Sequence, residues 1–416
     1  MTATDASVRR PSALDEHRLR VLPGGFGRGP LAVGDRAPYA RSAQGWSLVD
    51  EDGHELIDLN NNMTVNLHGH AHPAVLDAVR ERFDAGLVSL GVSNEDELLM
   101  ADALLARLPW AGQVRFANSG TEAVMLAVRV ARARTGRDLV VVLGPGYHGT
   151  ADAVLPALLD AGAPGVPDGV RAQTLVVPRG DDAALERVFD AHGGRIAAVV
   201  LDLCANSAGL QPLTAGFVAG AERLARADGA LLVVDEVVTF RNGFGGLAGE
   251  FGVRPDLMAL GKTIGGGFAV GAVVGTADAL SVLDVRRPGA LVHGGTFTAN
   301  PVTMTAGRVT LDLFGPGQVQ RLNALAERFQ RRAGDGLDGT GWQVRRSGSV
   351  LRPFPVGWAA DERRTAQKAL FWAAYQQGLL LSAGGLTCLS TVMDEGVVDE
   401  AVARLVAAGR SVAAGR

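Results

Sequence analysis

From residue 71 to about 275 the chain alternates between two hydrophobic periods. Apolar residues at helical spacing mark 73–85 and 95–108. Val124, Ala127, Val128 and Ala131 fall on one face of another helix, which Gly136 stops. Short apolar runs at 114–117, 138–143, 175–177, 197–201, 231–234 and 270–274 read as strands, with helices at 185–192 and 215–227 among them. Such alternation predicts an α/β fold with a mostly parallel central sheet flanked by helices. Beyond residue 300 the pattern changes to helices at 302–314, 319–333, 363–378 and 397–408. Segments 342–350 and 379–381 with 387–390 suggest a small sheet. Near the start, 46–49, a turn at 51–53 and 55–58 form a hairpin, and residues 1 to about 20 read as a tail or first helix. The expected organisation is an N-terminal segment at 1–70 that belongs to a small domain, a large domain at 71–300, and a smaller α+β domain at 301–416.

Composition narrows the function classes. Forty basic against forty-four acidic residues leave a net charge of −4, and no stretch is strongly basic, so nucleic acid is not an expected partner. The first twenty residues lack the apolar core of a signal peptide, and the apolar runs are too short to span a membrane. Two cysteines, Cys204 and Cys388, make no disulfide framework. A cytoplasmic protein without membrane attachment is expected.

Only two of the forty basic residues are lysines, Lys262 and Lys368. Lys368 lies in a helical pattern and reads as solvated. Lys262 lies in the glycine-rich stretch Leu260-Gly261-Lys262-Thr263-Ile264-Gly265-Gly266-Gly267. A lysine amine can lose its proton and form an imine, which a guanidinium cannot; the alternative is a chance surface lysine. Asp235 ends a fully apolar run, where a carboxylate is costly to bury without a partner. A protonated ring nitrogen would be one partner and a metal ion another, but no phosphate-binding Gly-x-x-x-x-Gly-Lys-Ser/Thr loop accompanies it. Ser119, Gly120 and Thr121 open a helix, where free N–H groups and the helix dipole favour an anion; an ordinary helix cap is the alternative. Tyr147, Asn206, Asp235 and the Lys262 loop all fall beyond strand ends, where open α/β sheets bind ligands. His68, His70 and His72 alternate as metal ligands can. However, Gly69 and Pro73 place them in a loop, no second cluster completes a site, and no metal is expected.

In combination these pieces resemble the class III aminotransferases, which are fold-type I pyridoxal-phosphate enzymes, and within them the glutamate-1-semialdehyde aminomutase and β-amino-acid aminotransferase group. The resemblance runs through Asn118-Ser119-Gly120-Thr121-Glu122-Ala123, Gly146-Tyr147-His148-Gly149, Asp235-Glu236-Val237, Pro255-Asp256-Leu257, Leu260-Gly261-Lys262, and Gly295-Thr296-Phe297 with Asn300-Pro301. It implies pyridoxal 5'-phosphate as cofactor, with pyridoxamine 5'-phosphate as its aminated form. Lys262 would hold the cofactor through an imine and move the proton. Asp235 would pair with the ring nitrogen. Ser119, Gly120 and Thr121 would hold the phosphate, Tyr147 and Val237 would cover the two ring faces, Asn206 would lie near the ring hydroxyl, and His148 would be a further cofactor contact. Thr296 would reach the phosphate in the neighbouring subunit, which implies a homodimer with shared sites. The substrates would be a small-molecule amino donor and a carbonyl acceptor.

Two departures bear on the reaction. Leu201-Asp202 stands where many relatives have Glu-Pro. Gly385 stands where aminomutases carry a glutamate, which argues against the aminomutase. The leading expectation is an aminotransferase; an aminomutase, epimerase or decarboxylase on the same scaffold, for which Leu201 and Gly385 leave room, is the alternative, and a non-catalytic cofactor-binding protein a remote one. Arg28, in Leu22-Pro23-Gly24-Gly25-Phe26-Gly27-Arg28, matches an arginine that binds the substrate carboxylate in β-amino-acid aminotransferases. The second arginine of those enzymes falls at Gly384, and Arg241 is a candidate replacement.

Overall fold

The computed structural model describes residues 13–29, 32–34, 37–158 and 163–415. The beginning of the expected N-terminal tail, residues 1–12, lies outside the described residues; Ala13–Val21 is a helix.

A seven-stranded sheet forms the centre. Its order is Gln113–Ala117, Gly271–Gly275, Leu257–Gly261, Leu231–Asp235, Ile196–Leu201, Leu139–Gly144 and Thr174–Pro178. All strands run parallel except Gly271–Gly275, which is antiparallel to both neighbours. The middle strands are apolar on both faces: Val140 to Leu143, Ala197 to Leu201 and Val233 to Val234 are essentially inaccessible. Unbroken apolar runs of this kind are what a sheet covered on both sides requires. One face packs against Glu95–Leu105, Asp182–His192 and Ala215–Asp228, and the other against Gly120–Thr135. Ala123, Ala127 and Ala131 let the last helix lie close to the strands, and Gly136 ends it in the left-handed conformation.

A second core joins distant parts of the chain. Val33, Ile57, Leu59 and Leu67 pack with Leu322, Leu370 and Leu405 from Pro316–Gly336, Arg363–Gln376 and Glu395–Ala414. The first helix past residue 300, Pro301–Leu313, instead sends Met304 and Leu311 into the main core.

The small sheet differs from the expectation in two ways. Segment 342–350 is not one strand but part of a hairpin, Trp342–Ser347 with Val350–Pro355. Leu379–Leu380 does not join it; it pairs in parallel with Glu55–Asp58, extending the N-terminal hairpin sheet. Thr387–Cys388 alone completes the hairpin's sheet, through Val350 and Leu351.

Candidate active site

Strand Leu257–Gly261 ends in a tight turn, and Lys262 opens it with φ of +49°. A non-glycine residue in the left-handed region stores strain that surrounding structure has to hold, a feature concentrated at functional sites. Burial drives the Lys262 amine below the ordinary lysine value, against the opposing pull of Asp235 and Asp202. A depressed pKa gives a larger share of neutral amine, the form that attacks a carbonyl.

Asp235 closes the adjacent strand and is 7% exposed. Its Oδ1 accepts the Val237 N–H at 3.0 Å, and its Oδ2 accepts from His148 Nδ1 at 2.8 Å. Burial opposes charge on His148, but the hydrogen bond and charge of Asp235 outweigh it and hold the imidazole above its usual pKa. His148 Nε2 is buried and has no partner. A second acid lies near. Burial, reinforced by the charge of Asp235, pushes Asp202 up to about 6. Asp202 Oδ1 accepts the Cys204 N–H at 3.0 Å, and its backbone carbonyl takes Arg179 at 2.9 Å.

Across from these groups is the N-terminus of Gly120–Thr135. Ser119 caps it by accepting the Glu122 N–H at 3.1 Å, while Glu122 accepts the Asn118 N–H at 2.8 Å. This reciprocal pair fixes the entry of the chain. Helix geometry leaves the N–H groups of Gly120 and Thr121 without intrahelical acceptors. Gly120 also allows a close approach: a Cβ there would come within 2.7 Å of Val237 Cγ1. The lysine loop, the aspartate strand and the helix start thus converge on one place.

The other candidates divide. Tyr147 precedes His148 in the chain and is 49% exposed. Asn206 Oδ1 accepts from Arg352 Nη1, on Val350–Pro355. Thr296 lies in an exposed loop that meets Asn118 through Thr298. Arg28 is exposed and donates to Asn62 Oδ1 at 3.0 Å. Asn62 belongs to a run of four left-handed residues, Asn61 to Thr64, a rare conformation for side chains other than glycine. Arg241 is 1% exposed, with its Nε on Ser349 Oγ at 2.8 Å, Nη1 on the Thr64 carbonyl at 3.2 Å and Nη2 on the Leu389 carbonyl. With those donors already taken inside the protein, Arg241 ties the domains together and is not placed as a substrate ligand.

Two of the three alternating histidines, His68 and His70, are held by separate partners. His68 bridges Thr391 Oγ1 at 2.7 Å and the Thr310 carbonyl at 2.9 Å, and burial pushes it down to about 4. His70 Nε2 meets Asp58 Oδ2 at 2.7 Å.

A family model for aminotransferase class III matches residues 33–407. The chain belongs to this family. Glutamate-1-semialdehyde 2,1-aminomutase from Thermomicrobium roseum is 41% identical over 383 residues, covering 87% of this chain and 88% of the relative. A solved transaminase with PLP bound is 34% identical, with a TM-score of 0.93 over 97% of each chain. A β-phenylalanine aminotransferase from Variovorax paradoxus is 32% identical, with a TM-score of 0.85 over 94% of this chain and 91% of that one. The fold is that of the fold-type I pyridoxal-phosphate transaminases, and the cofactor is pyridoxal 5'-phosphate; a solved aminomutase from Pseudomonas aeruginosa, 26% identical, holds the pyridoxamine form.

The residues present suit this cofactor. The capped helix start offers N–H groups and a positive dipole end to a phosphate. Buried Asp235 offers a carboxylate to a ring nitrogen, and Lys262 offers an amine of lowered pKa. The sequence did not single out Asp202, Arg179, Arg352 or Gln367 as site residues. The only signal for Asp202 was its departure from Glu-Pro.

Proposed function

We propose that this enzyme is an aminotransferase that moves an amino group from an amino acid, a β-amino acid among the candidates, or an amine to a carbonyl acceptor. The observation that carries this reading is the strained Lys262 turn, which follows the strand beside Asp235 and packs its Gly261 against Gly120 at the helix start. Pyridoxal phosphate, when bound, supplies an electron sink for the bond broken at the substrate carbon. Lys262 would hold it and would move the proton at the reacting carbon. Asp235, oriented by His148 and the Val237 N–H, would keep a positive charge on the ring nitrogen. Ser119, Gly120 and Thr121 would hold the phosphate, Tyr147 and Val237 would cover the ring faces, and Asn206 would lie near the ring hydroxyl. Arg28 is a candidate for the substrate carboxylate from the N-terminal side.

Gly385 supports transamination over isomerisation, because it puts no carboxylate where aminomutases use one. The relative named as an aminomutase favours the second reading, isomerisation of a single substrate. We also propose a homodimer with shared sites. The exposed loop that carries Thr296 supports it, with Val292 85% and Phe297 64% accessible in the single chain.

A donor screen separates the two reactions. 3-Amino-3-phenylpropanoate, 1-phenylethylamine and alanine would each be supplied with pyruvate or 2-oxoglutarate. The aminotransferase reading expects carbonyl product from a donor and an equal amount of aminated acceptor. Isomerisation of glutamate 1-semialdehyde with no use of acceptor would overturn it.

A further inference from the structure

The wall of the site formed by the small domain holds positive charge without its counterpart. Arg345 and Arg352 are directly opposite on the hairpin, an arrangement that repels. The Arg345 guanidinium lies 3.8 Å from the Phe354 ring centre, that of Arg363 5.4 Å and that of Arg352 5.8 Å. Among the described residues none of the three has a carboxylate within ion-pair distance. Arg345 donates to the Gly209 carbonyl at 3.0 Å, and Arg363 to the Trp358 carbonyl at 3.3 Å. Arg352 is the least satisfied: Nη1 donates to Asn206 Oδ1, while Nε is buried with no acceptor. Burial, with Arg345 adding to it, pushes Arg352 down to about 10. Arg352 is part-buried, and unlike Arg241, whose donors all meet neutral acceptors, it keeps an Nε that an arriving anion would satisfy.

The place of this arginine is informative. Its hydrogen bond sets it on Asn206, beyond the end of Ile196–Leu201, on the same sheet edge as Asp235. Its strand pairs through Leu351 with Thr387, three residues after Gly384. Gly385 leaves open the space that the Gln367 amide enters; a Cβ at Gly385 would lie 2.9 Å from Gln367 Cδ. Gln367 is 6% exposed, and neither atom of its amide has a partner. The wall therefore carries unsatisfied polar atoms at Arg352 Nε and the Gln367 amide.

We propose that Arg352 binds the carboxylate of the amino-acid and keto-acid substrates, supplied from the strand next to the one that follows Gly384. A guanidinium matches a carboxylate with two parallel N–H donors, and the Nε–Nη edge provides such a pair. Binding relieves the repulsion from Arg345 and satisfies the orphaned Nε. This assignment rests on the aminotransferase reading and narrows it to substrates that carry a carboxylate near the reacting carbon. Amines without one lose that anchor.

The test is calorimetric titration of the cofactor-loaded protein with propionate, pyruvate and benzoate, against propionamide and benzamide. The wild-type protein is expected to bind at least one carboxylate and to bind it more tightly than the amide. Arg352→Leu should weaken that binding about 10- to 100-fold, and Arg352→Lys, which keeps the charge without the fork, should restore part of it. Unfolding curves and cofactor absorbance confirm that both variants fold and load. Equal affinity in wild type and Arg352→Leu, or no carboxylate binding by wild type, overturns the proposal; in the first case Arg352 only braces Asn206. Failure to take up pyridoxal phosphate is read separately from absorbance. It would strike the functional reading, and the same titration on the cofactor-free protein would still judge Arg352.

Discussion

At the large-domain end of the site, Asp235 and His148 share a 2.8 Å hydrogen bond, Ser119 caps a helix start, and Lys262 opens the turn after the neighbouring strand. At the small-domain end, Arg352 Nε and the amide of Gln367 have no partner among the described residues. The first region is complete as chemistry: amine, acid and anion cradle each have a geometry that few alternatives meet. The second is complete only with a ligand.

The sharpest way to break this contrast is at Asp235. Asp235→Asn keeps the shape and removes the charge that would face the ring nitrogen and His148. The expected loss in kcat/KM is about 100- to 1000-fold, as for removal of one member of a buried pair, with weaker retention of cofactor on dialysis. A change below tenfold would mean that the large-domain end is not electrostatically specialised. Arg352→Leu comes next in size and should act on carboxylate affinity alone. An effect of similar size, on stability rather than on affinity, is expected at Asp202. Folding raises its pKa from 3.8 to about 6. Between those values the folded state holds more protons than the unfolded state, so stability falls as pH rises through this window. Asp202→Asn should therefore stabilise the cofactor-free protein at pH 8 by on the order of 1–3 kcal/mol and have little effect at pH 4. Unfolding curves at the two pH values check this. A gain of the same size at both would assign the effect to packing.

The same contrast explains what could be read from sequence. Lys262 was legible because it is a lysine in an arginine-rich chain, followed by glycines. Asp235 was legible because a carboxylate ends an otherwise apolar strand. The mostly parallel sheet followed from its uniformly apolar runs. Val350–Pro355 was not legible, because Pro353 and Pro355 argue against a strand. The fold tolerates them because Thr387–Cys388 pairs only as far as Leu351, so the N–H groups that the prolines lack are not needed on that side. With that strand hidden, Arg352 could not be placed. Leu379–Leu380 was assigned to the wrong sheet because its partner, Glu55–Asp58, lies over three hundred residues earlier, and nothing local specifies that register. Arg241 read as a candidate ligand because its proximity in sequence to Asp235 said nothing about the carbonyls of Thr64 and Leu389 that take its donors.

The central claim is that Lys262 is the residue that binds the cofactor. Borohydride reduction of the loaded protein, followed by digestion and mass measurement, tests it most directly. The account predicts one reduced pyridoxyl adduct, on the peptide containing Lys262, and none in Lys262→Ala, which still folds. An adduct on Lys368, or a protein that stays colourless with added pyridoxal phosphate, would contradict it.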